Sequence, residues 1–400
     1  MVEEQIDRQN KYTRQQGGVF EVAKASEAMN GPRICLPTTR NFIRNVFRGA
    51  TYEAQDVLAE CADTDLVCLE PQKQFQFRKQ LLWKLMKMDV SRRLAYLNPG
   101  IQPVQVANDY DLFVFNCPIG TDPLYFNAIQ GWKKRCKTSV CWINELWKAD
   151  IPRYKNWLFR FREFDHVIVG LRGSVETLSD ALGRRCHYVP GGVDAIRFSP
   201  CPNVPARVVN VYSVGRRLDK VHRALLKMAA AGKIFYVHDT VENSGNVSTS
   251  DYQAHRNAYA NMAKRSHLFM VAQGFVDTAD FTRGQVEVGL RFYEGAAAGS
   301  VLVGQAPDCD TFRHAFNWPG AVIDIKPDGS DVVEVLTNLL ADPEHLRRIS
   351  RRNASESLLR HDWVYRWKEI FAIAGIKPTE AMEARENRLK ELAASVADNS

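Results

Sequence analysis

The sequence predicts an α/β protein of two doubly wound parallel sheets joined by a short linker. Short apolar runs alternate with helical stretches along most of the chain, and a proline-rich break near residue 200 divides the series in two. The runs are continuous rather than alternating, as expected of parallel strands that are covered on both faces. In such folds ligands bind at the carboxyl ends of the strands, so the residues there are the first site candidates.

The first half of the chain predicts one complete sheet. Residues 1–30 are polar without a clear period and are predicted to form an arm or an extra helix. Six apolar runs follow, with helical stretches between them, which is the pattern of a parallel sheet. The predicted strands are residues 33–37, 65–69, 111–115, 138–143, 166–170 and 186–190. This series predicts a first domain over residues 31–195.

Three prolines at positions 200, 202 and 205 predict a linker over residues 196–206. The pattern restarts after this break and predicts a second domain over residues 207–355. The elements predicted there are strands at 208–214, 233–237, 267–271 and 301–303, and helices at 222–231 and 252–265. Residues 356–400 are predicted to be helices at the end of the chain.

Composition narrows the class of protein and of partner. A chain of 400 residues, 45% hydrophobic and 25% charged, is typical of a soluble enzyme of two domains. Nine cysteines without a C-x-x-C pair predict a reduced, cytoplasmic chain. The polar start and the absence of a run of roughly 18 apolar residues argue against a secretory leader and a membrane span. The net charge of +7 favours an acidic partner, either a nucleoside diphosphate or anionic lipid; nucleic acid is not expected, because no recognisable binding module is present.

The most informative segment is residues 291–304, in which one acid, Glu294, leads a helix of alanines and glycines and a short strand follows. An acid in the first turn of a helix lies at the positive end of the helix dipole, where unpaired N–H groups also attract anions. This arrangement is typical of a sugar-nucleotide pocket. Glu294 is predicted to accept hydrogen bonds from the ribose hydroxyls of a donor, and an ordinary dipole-stabilising acid is the alternative.

Three segments together resemble the GT-B glycosyltransferases, in particular the retaining group with a Glu-x7-Glu signature, also called glycosyl transferases group 1. They are residues 189–200, 214–220 and 289–299. The resemblance spans roughly residues 165–375. It implies a GT-B fold, with two Rossmann-like domains facing a cleft, an acceptor-binding first domain, a donor-binding second domain and terminal helices that pack back toward the first domain.

The resemblance points to a phosphate clamp in the segment that begins at Gly215. Arg216 and Lys220 are predicted to stabilise the leaving diphosphate. They lie one residue closer together than in the family, so Arg217 is the alternative to Arg216 for this role. Guanidinium groups bind phosphate oxygens in pairs, and lysine adds a point charge. Two solvated cations at a helix start are the alternative interpretation.

Other donor-binding candidates surround the same predicted pocket. Val286 occupies the position of the first Glu of the family signature, and the nearest acid is Glu287, one residue later. Glu287 is therefore predicted to belong to the donor site, and its role there is left open. Arg291 either faces the donor sugar or pairs with an acid. The remaining candidates, on loops where the sugar, base or phosphates would pass, are Gln285, Gly289 and His238. Substitution of Glu294 by alanine is expected to weaken donor binding and to leave the fold intact.

In the first domain, Glu145 follows the fourth predicted strand and is the candidate acid or base on the acceptor side. The alternative is an ordinary acid at a helix start. No metal is expected, because the cysteines and histidines lack ligand spacing and Asp308-Cys309-Asp310 lies in a loop after the donor helix. No other cofactor is expected.

Residues 72–93 form a basic amphipathic stretch that mixes aromatic and aliphatic residues with lysines and arginines. Such a stretch lies on anionic lipid in some proteins, and in others it is a normal helix with solvated lysines. The localisation predicted is therefore cytoplasmic, with a peripheral contact at the inner membrane face as one of the two interpretations.

The predicted function is transfer of a sugar from a nucleoside-diphosphate donor to a glycan, lipid-linked or small-molecule acceptor, with retention of configuration, as in polysaccharide biosynthesis. Two alternatives stay open. One is a GT-B sugar-nucleotide epimerase or phosphorylase, and the other is a non-catalytic protein that binds nucleotide sugars or membrane. The sequence does not name the sugar, the base or the acceptor.

Overall fold

The computed structural model of the chain describes residues 31–88, 91–120, 122–240, 247–277 and 279–398. The predicted arm over residues 1–30 lies outside the described residues. Two parallel sheets, each with helices packed against it, form the body of the protein. The predicted fold class is confirmed.

The first sheet has six parallel strands in the order β2-β1-β3-β4-β5-β6. Their bounds are Ile34–Thr38 (β1), Thr64–Cys68 (β2), Tyr110–Ile119 (β3), Cys136–Glu145 (β4), His166–Val169 (β5) and His187–Tyr188 (β6). β3 and β4 pair from Tyr110 opposite Cys136 to Ile119 opposite Glu145. They are longer than the apolar runs predicted, because parallel pairing continues past Phe115 to Ile119 in β3 and runs from Cys136 to Glu145 in β4.

The second sheet has five parallel strands in the order β8-β7-β9-β10-β11. Their bounds are Val209–Ser213 (β7), Tyr236–His238 (β8), Ser266–Val271 (β9), Val301–Gly304 (β10) and Ile323–Asp324 (β11). β8 starts later than predicted because Lys233 belongs to the end of the preceding helix. Its N–H bonds the Met228 carbonyl at 3.0 Å, and Gly232 has a φ of +69°, which together form a left-handed helix end.

Helices connect the strands and continue to the end of the chain. Those between the strands of the first sheet are Gly49–Cys61 (α1), Phe75–Lys87 (α2), Trp132–Arg135 (α3), Lys155–Leu158 (α4) and Val175–Leu182 (α5). The others are Ala195–Phe198 (α6), Asp219–Ala230 (α7), Tyr252–Lys264 (α8), Ala279–Thr282 (α9), Leu290–Ala297 (α10), Asp310–Ala315 (α11), Val332–Ala341 (α12), Pro343–Arg360 (α13), Trp363–Ile373 (α14) and Glu380–Asp398 (α15). Over the described ranges, no helix has the length and hydropathy to span a bilayer.

The helix of small residues starts earlier than the sequence suggested. Gly289 is the N-cap of α10, and the helix begins at Leu290, so no acid lies in its first turn. The expectation that Glu294 leads the helix is wrong, since Glu294 lies beyond the first turn. Its charge is therefore explained by side-chain partners rather than by the helix dipole, which acts mainly over the first turn.

The C-terminal helices pack on the first sheet. The indole of Trp142 on β4 contacts the rings of Trp363 and Trp367 on α14, with centroid separations of 6.0 and 5.3 Å. All three tryptophans are buried, and the Trp367 Nε1–H donates to the Ala54 carbonyl of α1 at 2.8 Å. This core therefore joins the end of the chain to the first domain.

A buried ion pair joins the two domains at the start of α1. The Arg256 guanidinium, on α8 of the second domain, donates to both carboxylate oxygens of Glu53 on α1, at 2.8 and 3.0 Å. Glu53 also accepts from the indole N–H of Trp363 and from the backbone N–H of Asp194 beside the linker. A buried charge requires such partners, so these contacts fix how α1 meets the second domain.

Replacing Arg256 by methionine should lower the free energy of unfolding by about 3–5 kcal/mol, because the change leaves buried carboxylates without their cation. Unfolding of the full chain by urea, followed by tryptophan fluorescence, measures the loss. The matched control is Arg223→Met, which breaks an exposed pair with Asp219 one helical turn away and should cost under about 0.5 kcal/mol. Equal losses in the two variants would show that the buried pair contributes no more to the free energy of unfolding than the exposed pair does.

Candidate functional site

The carboxyl ends of the two sheets meet where the domains touch. Glu145 ends β4 of the first sheet, and Arg216 follows β7 of the second; the charge of Arg216 is close enough to lower the pKa of Glu145. Beside them the Trp147 ring packs edge-on against Phe275, with centroids 5.2 Å apart. The strand ends of both domains therefore border one cleft, as is typical of ligand sites in doubly wound folds.

A glycine turn opens the second-domain side of this cleft. Gly215 follows β7 with a φ of +80°, a conformation that favours glycine. Its N–H donates to the Asp239 carboxylate at 2.8 Å, which joins the turn to the end of β8. A Cβ at this position would lie 3.6 Å from the Arg291 guanidinium. The predicted clamp segment and the predicted donor helix are therefore adjacent.

Arg217 is the cation of this turn that offers a free donor. Its Nη2 donates to the Asp239 carbonyl at 2.7 Å and lies 2.6 Å from the Asp239 carboxylate. Its Nη1 is buried and has no hydrogen-bond partner in the described part of the chain. Leaving a buried donor unpaired costs free energy, and an anionic oxygen satisfies such a guanidinium best.

A small cavity lies next to Arg217, between the carboxyl ends of β7, β9 and β10. The polar residues that line it are Ser213, Arg216, Arg217, His222, Tyr236 and Gln305. The other eight lining residues are apolar or glycine, so the cavity combines two guanidinium groups and four other polar side chains with an apolar wall.

His238 lies beside this cavity but is not among the residues that line it. Its ring centroid is 4.9 Å from that of His222 and 4.8 Å from that of Tyr236, and its Nδ1 is 2.9 Å from the Asp239 carbonyl. His222 lines the cavity and was missed, because one histidine early in a helix gives no pattern. Burial lowers the pKa of His222, and the charge of Arg217 lowers it further.

Arg216 and Glu145 come from the two domains, and each is held by partners of its own. Arg216 pairs with Asp277 at 2.9 Å, and its guanidinium lies 4.1 Å from the centroid of the Phe275 ring. Glu145 accepts from the Trp147 indole N–H at 2.8 Å. Burial raises the pKa of Glu145, while this hydrogen bond and the charge of Arg216 oppose the rise. A carboxylate in such a setting binds a proton more readily than an exposed glutamate.

Lys220 is not brought to the cavity. It lies exposed in the first turn of α7, next to Gly329, whereas its neighbour Val221 is buried and lines the cavity. Each helical residue turns the side-chain direction by about 100°. The shorter spacing between Arg216 and Lys220 therefore directs this lysine away from the cavity.

Glu294 is buried and held by three partners. One oxygen accepts from Arg256 at 2.5 Å, and the other accepts from Tyr259 at 2.9 Å and from Arg291 at 2.5 Å. Burial raises the pKa of Glu294, but the charges of Arg291 and Arg256 outweigh it, so the pKa is lowered. Removing this carboxylate would leave Arg291 without its carboxylate partner and Arg256 with Glu53 alone, which argues against the expectation that Glu294→Ala leaves the fold intact.

Arg291 connects Glu294 to the cleft. Its side chain is about one third exposed, its Nη1 bonds Glu294 and Tyr259, and it borders Gly215. Both alternatives raised for Arg291 therefore have a structural basis, since it pairs with an acid and also reaches the glycine turn. Arg256 and Tyr259 were missed, because they lie on a helix that carries no motif.

Gln285 and Glu287 hold the loop before α10 against the first domain. Gln285 accepts from the Lys148 N–H at 2.8 Å and donates to Ser174, and Glu287 accepts from the N–H groups of Arg172 and Gly173. Burial raises the pKa of Glu287, although these hydrogen bonds oppose the rise. Glu287 is thus occupied by backbone donors of the other domain in this structure.

Gly289 lies at the end of this loop, where it is the N-cap of α10. A Cβ there would come within 3.2 Å of the Ala272 carbonyl, so the residue allows close approach to the segment after β9. In the described ranges no cluster of three or more histidine, cysteine or acidic side chains is arranged to hold a metal ion.

Known proteins resemble this chain in a family match over its second half and in overall structure. Residues 216–372 match the model of a family described as glycosyl transferase-like. No curated protein sequence matches the chain. An alpha-glucosyltransferase in complex with UDP is similar in structure, with a TM-score of 0.53 and 11% identity over 86% of this chain and 100% of the other. An alpha-glucosyltransferase in complex with UDP-glucose and DNA containing an abasic site has a TM-score of 0.50 and 11% identity, over 86% and 99% of the two chains.

At these identities the structural likeness concerns the fold, and the family match concerns the domain that carries the cavity and the glycine turn. The chain therefore has the GT-B fold and carries a glycosyl transferase-like domain, which confirms the predicted resemblance and the enzyme class, glycosyltransferase, to which it points.

Proposed function

We propose that the chain transfers a sugar from a nucleoside-diphosphate donor, bound by the second domain, to an acceptor held by the first domain. The observation that carries this proposal is the cluster around Gly215, in which Arg291 borders the glycine and Arg217 lines a small cavity at the strand ends. The unpaired Nη1 of Arg217 is the feature of this cluster that most favours an anionic ligand.

The chemistry follows from the charges that change during transfer. Breaking the bond between the sugar and the diphosphate leaves negative charge on the departing oxygens. Arg217 and Arg291 are fixed by Asp239 and Glu294, so they are oriented before the reaction begins. Preorganised donors of this kind stabilise the transition state, and one such donor contributes about 10²–10³ in rate. Arg216 supplies a further cation on the same side of the cleft.

Glu145 is proposed as the acceptor-side acid or base. It is the acid at the carboxyl end of β4, and the charge of Arg216 acts on its pKa. As a carboxylate it accepts the proton of an acceptor hydroxyl when that oxygen attacks the sugar. In a retaining transfer the departing phosphate is the alternative acceptor of this proton, and the Glu145→Gln variant distinguishes the two routes.

For the donor we propose a uridine nucleotide as the first candidate, since similar structures were solved with UDP or UDP-glucose. The acceptor is proposed to be a glycan, a lipid-linked sugar or a small molecule, as in polysaccharide biosynthesis, in the cytoplasm. Retention of configuration rests on the resemblance to the retaining group. No nucleic-acid acceptor is proposed, because the chain carries no recognisable nucleic-acid-binding motif.

Arg217→Gln should weaken UDP binding by about tenfold to a hundredfold, because it removes a charged hydrogen bond to the diphosphate. Thermal unfolding with increasing UDP measures the affinity, since a ligand that binds the folded state raises the midpoint. Lys220→Gln is the matched control and should change the affinity less than twofold, because Lys220 lies outside the cavity. Unchanged UDP affinity in Arg217→Gln would show that the donor lies elsewhere.

Glu145→Gln should reduce turnover at least tenfold without changing UDP affinity. The carboxylate is the active form and its pKa is raised above the ordinary value of 4.5, so transfer should increase as the pH rises through that raised pKa. The variant should lose this acid limb of the pH profile. Glu369→Gln is the control, since burial raises the pKa of this acid as well but Glu369 lies on α14. A wild-type pH profile in Glu145→Gln would remove Glu145 from the mechanism.

Measuring conversion of the nucleotide sugar with and without an acceptor separates the two alternative functions. An epimerase or phosphorylase would convert the nucleotide sugar without an added acceptor. A non-catalytic binding protein would bind UDP and convert nothing, whichever acceptor is added. The anomeric configuration of the product, measured by NMR, decides between retention and inversion.

A further inference from the structure

Helix α2 has two apolar faces, and one of them faces outward. Phe75 and Leu82 are buried against the first domain, as expected of a surface helix. Phe77, Leu81 and Met88 point the other way and are 69%, 45% and 71% exposed. Their spacing of four and seven residues places them in one stripe along the helix.

The segment after α2 carries two more exposed apolar side chains. A 3₁₀ turn over Arg92–Tyr96 follows and packs against α2, and Tyr96 and Leu97 are 50% and 48% exposed. Five of the twelve exposed large hydrophobic residues in the described ranges therefore lie between residues 77 and 97. We name these five side chains and the cations around them the α2 surface. Exposed apolar residues grouped in this way mark a contact site more often than single ones do.

Positive charge surrounds these apolar side chains. The exposed cations of the α2 surface are Lys73, Arg78, Lys84, Arg92 and Arg93. From residue 71 to 97 the sequence has seven lysines and arginines and one acid, Asp89. A partner of this surface must therefore be both apolar and negatively charged.

We propose that the α2 surface docks on an anionic lipid bilayer. Aromatic and aliphatic side chains enter the boundary between head groups and acyl chains, while lysine and arginine contact the lipid phosphates. A second copy of this chain would bring an identical cationic surface against the first, and the like charges would repel. An anionic bilayer satisfies both properties of the surface at once.

The buried face of α2 is anchored on the acceptor side of the first domain. Phe75, at the start of α2, packs on Phe42 with ring centroids 5.2 Å apart and on Tyr125 with centroids 6.1 Å apart. Phe42 follows β1 and Tyr125 follows β3, so α2 begins at the carboxyl edge of the first sheet, where Glu145 also lies. If the proposed transfer function holds, on which this step rests, a docked chain takes its acceptor from the membrane.

Sedimentation of the full chain with vesicles tests the docking without any sugar donor. Vesicles of phosphatidylcholine with one third phosphatidylglycerol should bind the chain at least tenfold better than phosphatidylcholine alone, and added salt should weaken the binding. Phe77→Gln combined with Leu81→Gln should reduce binding at least tenfold, and Lys84→Gln alone about fivefold. Phe235→Gln, at a residue of the second domain that is 58% exposed, is the matched control and should bind normally.

Equal binding to neutral and anionic vesicles would overturn the proposal, as would equal losses in the Phe77 double variant and the Phe235 control. Light scattering without vesicles provides a further check. Self-association abolished by the Phe77 double variant would mean that the surface meets a second copy rather than lipid.

Transfer of the sugar to an acceptor in the membrane is measured separately from docking. With a labelled UDP-sugar and vesicles of total membrane lipid, label should enter the lipid-extractable fraction, and the Phe77 double variant should transfer at least fivefold less. Transfer only to soluble acceptors, with vesicle binding intact, would overturn the membrane-borne acceptor and leave the docking and the transfer function standing. Vesicle binding without any transfer would contradict the proposed function instead.

Discussion

A chain of four charges, the buried Glu53, Arg256 and Glu294 and the partly exposed Arg291, determines how the rest of this structure is arranged. Each carboxylate lies between cations, and each guanidinium contacts at least one carboxylate, so no member is left alone in a site without water. Burial lowers the pKa of Arg256, but the two carboxylates outweigh it and raise that pKa. Because burying an unpaired charge is so costly, the chain of charges has one favourable arrangement.

This arrangement runs from one domain to the other. Glu53 belongs to the first domain and also bonds Trp363 of the terminal helices and the backbone beside the linker, while the other three charges belong to the second domain. The network thus fixes the distance between the two sets of strand ends. The outermost member, Arg291, reaches the glycine turn that carries Arg217. A structural network therefore ends in the groups proposed to hold the diphosphate.

The first domain brings two different surfaces to one edge of its sheet. Glu145 faces the cleft, and the outward stripe of α2 begins at the same carboxyl edge. Two sets of contacts pack against this edge. One is an aromatic cluster around Phe75, and the other is a buried ion pair between Arg48 and Asp122. Since both surfaces rest on the same rigid edge, the orientation of the chain on a membrane would also set the direction from which an acceptor approaches Glu145.

The sequence by itself determined the parallel sheets and pointed to their carboxyl ends as the candidate site, because continuous apolar runs are local properties of the chain and parallel strands bring their ends to one edge. Only the tertiary structure decided the partners of Glu294, the direction of Lys220 and the outward stripe of α2. Arg256 lies 38 residues from Glu294 and 203 from Glu53 along the chain, so no local pattern signals their pairing. Which apolar residues stay exposed likewise depends on which faces the neighbouring elements cover, and that is settled only when the whole chain packs.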